Sequence, residues 1–223
     1  MNEASAYHSV SRPDSMPARS AARRGAAEAP RIANAMTVDV EDYFQVLAFA
    51  DQVRQEDWDG YPCRVERNTD LVLQMFADRG VFATFFTLGW IAGRYPQLIR
   101  RIVAAGHELA SHGFSHVGVH EQTPEEFRAD VRTTRRLLED VGGVAVRGYR
   151  AASFSIDART PWAFDVLAEE GYHYSSSVYP IRHDLYGMPE APRFAFHPCP
   201  EHPFLELPIT TVTLGERKLP CGA

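Results

Sequence analysis

The sequence predicts an α/β fold in which strands and helices alternate around a parallel sheet, and three observations predict it. Four successive helical stretches end at a glycine, at Gly80, Gly106, Gly142 or Gly143, and Gly171, each followed by an apolar strand-like run. That rhythm belongs to βα units rather than to hairpins. The polar residues with chemical potential, Asp39, Glu41 and Asp42, then His112 and His116, then Arg150, fall at or just past the carboxyl ends of the expected strands. No Gly-x-Gly-x-x-Gly or Gly-x-x-x-x-Gly-Lys loop accompanies them. A (β/α) barrel is therefore preferred to a flat doubly wound sheet, although both gather ligands at strand ends.

Taken in order, residues 1 to about 33 are rich in Ala, Ser, Arg and Pro and lack periodicity, so they read as a disordered tail, a solvated leader without function in preference to a targeting segment. Residues 34–223 read as one domain. The first strand runs from Ala35 to Val40. A helix capped at Asn68 or Thr69 places Leu71, Val72, Met75 and Phe76 on one face and stops at Gly80. Val81 to Leu88 is a buried strand. Pro96 opens a helix carrying Leu98, Ile99, Ile102 and Val103, and the strand His107 to Ser111 follows Gly106. Thr123-Pro-Glu-Glu126 is a capping box that starts a helix with Phe127, Val131, Leu137 and Leu138. The strand Ala145 to Tyr149, a helix from Thr160-Pro161 through Val166 and Leu167, and the strand Tyr172 to Val178 complete the regular pattern. Beyond Pro180, Phe204 to Leu207 and Ile209 to Leu214 are strand candidates.

Composition bounds the function. A chain of 223 residues with 45% hydrophobic and 23% charged residues can bury a full core. A formal charge of -6 disfavours nucleic acid and anionic membranes as general partners. Three scattered cysteines, Cys63, Cys199 and Cys221, make no disulfide framework and point to a reducing compartment. No apolar stretch has the length of a membrane span or the form of a secretory leader, so a cytoplasmic protein is expected.

His112 and His116 stand four residues apart directly after a strand, a spacing at which two imidazoles can face one cation. Such a pair is often no more than two loop histidines. A carboxylate from the upstream acidic cluster would complete a three-ligand set with a coordination position left open, as a catalytic metal requires. Strand geometry puts Asp39 and Glu41 on one face and Asp42 past the strand end, so either Glu41 or Asp42 can be the ligand while Asp39 serves as base. Arg150 can orient and ionise that base through a charge-assisted hydrogen bond, or can be a plain structural ion pair. His120 reads as a surface residue. His173, His183, His197 and His202 receive no role, and Trp90 and Trp162 are read as packing residues.

Three segments, Thr37-Val-Asp-Val-Glu-Asp-Tyr-Phe44, Ser111-His-Gly-Phe-Ser-His116 and Arg147-Gly-Tyr-Arg-Ala-Ala-Ser-Phe154, resemble the first three motifs of the polysaccharide deacetylases with a NodB-homology domain, carbohydrate esterase family 4. The resemblance extends from about Ala35 to the C-terminus and is narrower still to the branch found with exopolysaccharide and exosortase loci. It implies a distorted (β/α) barrel of the NodB type and hydrolysis of N-acetyl groups from amino sugars, aided by a divalent metal, zinc first. It implies Asp39 as base, Arg150 as the residue tuning it, and His112 and His116 as metal ligands with Glu41 or Asp42 as the third. The carbohydrate substrate is expected to be a polysaccharide or its lipid-linked precursor. Ala152 and Ser175 stand where close relatives carry proline and aspartate. Relatives also carry a final strand with a histidine that protonates the leaving amine, whereas this sequence stops at Cys221-Gly-Ala223. The expectation is a domain incomplete at its C-terminal end, retaining the metal site but impaired in turnover. The alternatives are hydrolysis of another C–N bond, such as a cyclic amide, and a non-catalytic carbohydrate-binding remnant.

Overall fold

The computed structural model describes residues 34–215 and 217–222. The expected N-terminal tail, residues 1–33, lies outside them. Strands β1 (Thr37–Val40), β2 (Thr84–Thr87), β3 (Glu108–Ser111), β4 (Gly148–Tyr149), β5 (Tyr174–Ser175) and β6 (Leu205–Glu206) form one six-stranded sheet, each paired in parallel with the next. Helix α1 (Val65–Ala77) follows β1, α2 (Gly89–Arg94) and α3 (Pro96–Ala104) follow β2, α4 (Pro124–Gly142) follows β3, and α5 (Trp162–Glu169) follows β4. Strand order never reverses, as it would in a doubly wound sheet, and this is the winding of a barrel.

Arg150 shows how far the sheet curls. It follows β4, yet its guanidinium donates to Thr37 Oγ1 at 3.0 Å and to Asp39 Oδ1 at 2.7 Å, both on β1. Three strand spacings in a flat sheet would separate β1 from β4 by about 14 Å, beyond the reach of any side chain. The guanidinium also lies 4.1 Å from the ring centroid of Phe86 on β2 and donates to Ser176 beyond β5. One side chain thus bridges the inner face of four strand positions.

The other face of the strands builds the core. Val40 and Phe85 pack with Leu88, Ile91, Leu98 and Ile102, and Leu109 and Tyr149 pack with Phe127, Val131 and Leu138. Burying each such side chain contributes about 1.5–3 kcal/mol relative to exposure. Helix α4 begins as its sequence dictates, with Thr123 Oγ1 accepting from Glu126 N–H while the Glu126 carboxylate accepts from Thr123 N–H. It ends at Gly143 in a left-handed conformation, φ 68°.

Several boundaries differ from the sequence reading. Helix α1 starts at Val65 rather than at Asn68 or Thr69, because the carboxylate of Asp42 accepts from the N–H groups of Arg64 and Val65. Thr69 is buried within the helix, and Leu71 and Met75 are more than half exposed, so the buried stripe runs through Val65, Val72, Leu73 and Phe76 instead. Helix α2 was not anticipated. Strand β7 (Thr211–Leu214) occupies the last candidate strand, but it pairs antiparallel with β8 (Arg217–Pro220) in a separate hairpin. Among the described residues no helix is long and apolar enough to cross a membrane.

Candidate metal centre

Three strand ends deliver the site. Glu41 follows β1, His112 follows β3 and Arg150 follows β4, and the ladder continues past the last strand residues: His112 N–H donates to Thr87 O at 3.0 Å and Arg150 N–H to Ser111 O at 2.9 Å. Residues one step beyond a parallel strand are thereby held as firmly as the strand itself.

His116 needs a turn to come back beside His112. Gly113, φ 75°, starts it, and His116 itself sits at φ 56°, a left-handed conformation that costs a non-glycine residue about 1 kcal/mol. The turn is docked on the start of α2, where Gly89 N–H and Trp90 N–H donate to the carbonyls of Gly113 and Phe114, each at 2.9 Å. Gly89 is required there, because a Cβ would lie 2.5 Å from the Phe114 ring. From the other side, Asp130 of α4 accepts from Phe114 N–H at 2.9 Å. Burial pushes the Asp130 carboxyl up to about 6 despite that hydrogen bond and one from Thr134.

Ligand-type atoms of Glu41, His112 and His116 converge within 4.8 Å of one another. His112 is buried, and its Nδ1 lies 2.8 Å from the carbonyl oxygen of Arg150, so Nδ1 must carry the proton and Nε2 keeps its lone pair. Burial lowers the His112 pKa, outweighing the nearby carboxylates, and this favours the neutral imidazole that a metal needs. Glu41 Oε2 lies 2.9 Å from His116 Nε2 and 3.8 Å from His112 Nε2. It is buried and yet accepts no hydrogen bond. Burial acts to raise the Glu41 pKa, but the two imidazoles outweigh it and hold the carboxyl below its usual range. An orphaned carboxylate oxygen beside two imidazoles fits a cation, since leaving it unsatisfied costs about 1–3 kcal/mol or more.

Asp42 is placed elsewhere. Its two oxygens accept from the N–H groups of Tyr43 (2.9 Å), Arg64 (2.5 Å) and Val65 (2.9 Å), which anchors α1 and leaves it outside the cluster. Of the two carboxylates the sequence left open, Glu41 is the one that lies with the imidazoles, whereas Asp42 anchors a helix. Asp39 lines the same cleft as the cluster and is held by Arg150.

The cleft measures about 400 Å³. Its far wall comes from a loop that the sequence reading left without a role: His183 stacks on Tyr186, ring centroids 4.0 Å apart, and Leu185 projects beside them. The dense Tyr, His and Leu content after Val178 was the available signal. Ser153 and Phe154, φ 51° and 50°, form the near lip.

The polysaccharide deacetylase family profile matches residues 57–175, more than half of the chain, and the chain belongs to that family. A second profile, a domain of unknown function (DUF3473), matches residues 176–223. The chain is 35% identical over 97 residues to a chitooligosaccharide deacetylase of Bradyrhizobium, covering 44% of this chain and 42% of the relative. It is 30% identical over 82 residues to a peptidoglycan-N-acetylglucosamine deacetylase of Bacillus cereus, covering 37% and 30%. It thus spans less than half the length of these relatives. A Mycobacterium smegmatis crystal structure assigned to the polysaccharide deacetylases superposes with a TM-score of 0.58 at 28% identity, covering 79% of this chain and 58% of that one.

Proposed function

We propose that this protein removes N-acetyl groups from amino sugars of a polysaccharide, or of its lipid-linked precursor, by metal-assisted hydrolysis. The observation that carries the reading is the orphaned Glu41 oxygen between two imidazoles, in one cleft with Asp39, which Arg150 holds. Glu41, His112 and His116 would hold a divalent cation, zinc first, since two imidazoles and one carboxylate suit it. Bound there, such an ion supplies Lewis acidity toward the acetamide carbonyl and lowers the pKa of water from ~15.7 toward about 7.

The chain's own residues do the rest. Asp39 takes a proton from water as the water oxygen attacks the acyl carbon and returns it to the sugar nitrogen as the C–N bond breaks, leaving acetate and the free amine. The hydrogen bond from Arg150 Nη1 fixes which way the Asp39 carboxylate faces. Arg150 is itself immobilised by Ser176 and by the Phe86 ring, so the base has little freedom to turn away. The Arg150 carbonyl meanwhile holds His112 in the tautomer with a free Nε2. One residue therefore orients both the base and a ligand. The Bradyrhizobium and Bacillus cereus likenesses favour an N-acetylated sugar as the substrate class.

Acetate release from chitooligosaccharides by the zinc-loaded chain, compared with His116→Ala, tests this. Release that stops in the variant, together with loss of bound zinc, is expected. Ring opening of a cyclic amide without acetate would move the assignment to another C–N bond. Sugar binding that survives both the substitution and chelation, with no turnover, would reduce the protein to a carbohydrate-binding one.

A further inference from the structure

His112 reaches the cluster from the end of β3, whereas His116 depends on the turn that brings the chain back, and that turn has no brace of its own. Among the described residues no backbone hydrogen bond joins any two of residues 112–117. Its backbone is also costly, with Gly113 at φ 75° and His116 at φ 56°. Such a conformation persists only where its surroundings over-determine it. Two neighbours supply the hold. The start of α2 gives N–H donors to the carbonyls of Gly113 and Phe114, and α4 gives one acceptor, Asp130 Oδ1, to the Phe114 N–H at 2.9 Å.

Asp130 is placed for that bond. Its helix has a capping box at one end and Gly143 at the other, and it packs Phe127, Val131 and Leu138 into the core, so the carboxylate stands on a fixed platform. One turn further on, the buried Thr134 donates its hydroxyl to the same Oδ1 at 3.3 Å and braces the side chain. Burial works against the charge, pushing the carboxyl up to about 6, and no cation among the described residues offsets this. A carboxylate carried at that cost is accounted for by what its oxygen holds.

We propose that Asp130 is a positioning residue for His116: from α4 it holds the turn in which His116 Nε2 lies 2.9 Å from Glu41, so that the ligand cluster is formed before any ion arrives. The proposal rests on the metal reading above and adds that one ligand is set by a helix outside the cleft. His112 has its own hold in the β3 ladder and the Arg150 carbonyl, so losing Asp130 loosens one ligand of three.

The test measures zinc affinity of the full chain by competition with a chromophoric chelator at fixed pH. Asp130→Leu keeps the side chain's size and removes the acceptor, and Asp130→Asn keeps an oxygen that the Phe114 N–H can reach. Val131→Ala, on the same helix but facing the core, loosens the fold without touching the turn. The zinc Kd should rise about tenfold in Asp130→Leu, the low end for losing a group that stands behind a metal ligand, and return to within about threefold of wild type in Asp130→Asn. It should be unchanged in Val131→Ala. Wild-type affinity in Asp130→Leu, no recovery in Asp130→Asn, or an equal loss in Val131→Ala overturns the proposal.

A second readout needs no metal. Gly89 and Trp90 donate to the far side of the turn, so in the metal-free chain their amide exchange, relative to that of the β3 amides, should quicken about tenfold in Asp130→Leu and stay unchanged in Val131→Ala. Should the wild-type chain hold no zinc, the metal reading falls, and this exchange alone judges whether Asp130 holds the turn. Quickened exchange upholds it, and unchanged exchange overturns it.

Discussion

Glu41, half-buried, and Glu206, fully buried, are carboxylates at the carboxyl ends of parallel strands, at opposite edges of the same sheet. Their surroundings differ in one respect. Glu206 accepts from the hydroxyl of Ser175 and from the N–H groups of Ser177 and Val178, both at 2.8 Å, so its oxygens are consumed by the end of β5 and the chain that follows it. Glu41 has an oxygen that nothing satisfies, beside two imidazole nitrogens. A carboxylate whose lone pairs are all taken by the backbone is a fastener, whereas one left open next to other lone pairs is arranged for a cation. Asp42, adjacent to Glu41 in sequence, behaves as Glu206 does.

Substituting along this divide should separate activity from stability. The largest effect is expected for Glu41→Ala, with acetate release falling about a thousandfold, or ~4 kcal/mol, and zinc retention falling with it. The melting temperature of the metal-free chain should hold or rise, because a buried unsatisfied oxygen is gone. A large fall in metal-free stability would erase the contrast. Glu206→Ala should do the reverse, costing about 3 kcal/mol in denaturant unfolding by leaving two buried N–H groups without an acceptor.

Asp130 sits between the two cases, with one backbone N–H and one hydroxyl against strong burial. Its folded pKa of about 6 lies above the ordinary 3.8, so the fold favours the protonated form. The stability this supplies is complete below about pH 4 and is lost as pH rises through 6, on the order of 2 kcal/mol for a shift of about two units after allowance for partial exposure. Urea unfolding of wild type and Asp130→Asn from pH 4 to 7 checks it, and parallel profiles would refute the assignment. The smallest effect belongs to Asp42→Ala, about 1–2 kcal/mol from a lost helix anchor, seen as reduced protection of α1 amides from hydrogen exchange.

Much of this was legible in the sequence wherever the cause is local. The capping box of α4, Pro96 at the start of α3 and the glycines closing the helices act within a few residues, and each appears where expected. The start of α1 was misplaced because its anchor is Asp42, 22 residues upstream of Arg64. No pattern within a helix shows a cap brought by another segment. The same long-range bond keeps Asp42 apart from the imidazoles, since its oxygens are taken by the amides it meets. Helix α2 was missed because six residues hold too few turns for periodicity to register. His183 was passed over because its neighbour in space, the strand-end cluster, is remote along the chain.

The Asp42 bond to Arg64 and Val65 closes residues 43–63 into a ring at its base. Whatever that ring does at its tip, Glu41 stays fixed to β1 on one side and α1 stays seated on the other. Evolution or an engineer can therefore rewrite the ring while the strand-end cluster keeps its shape.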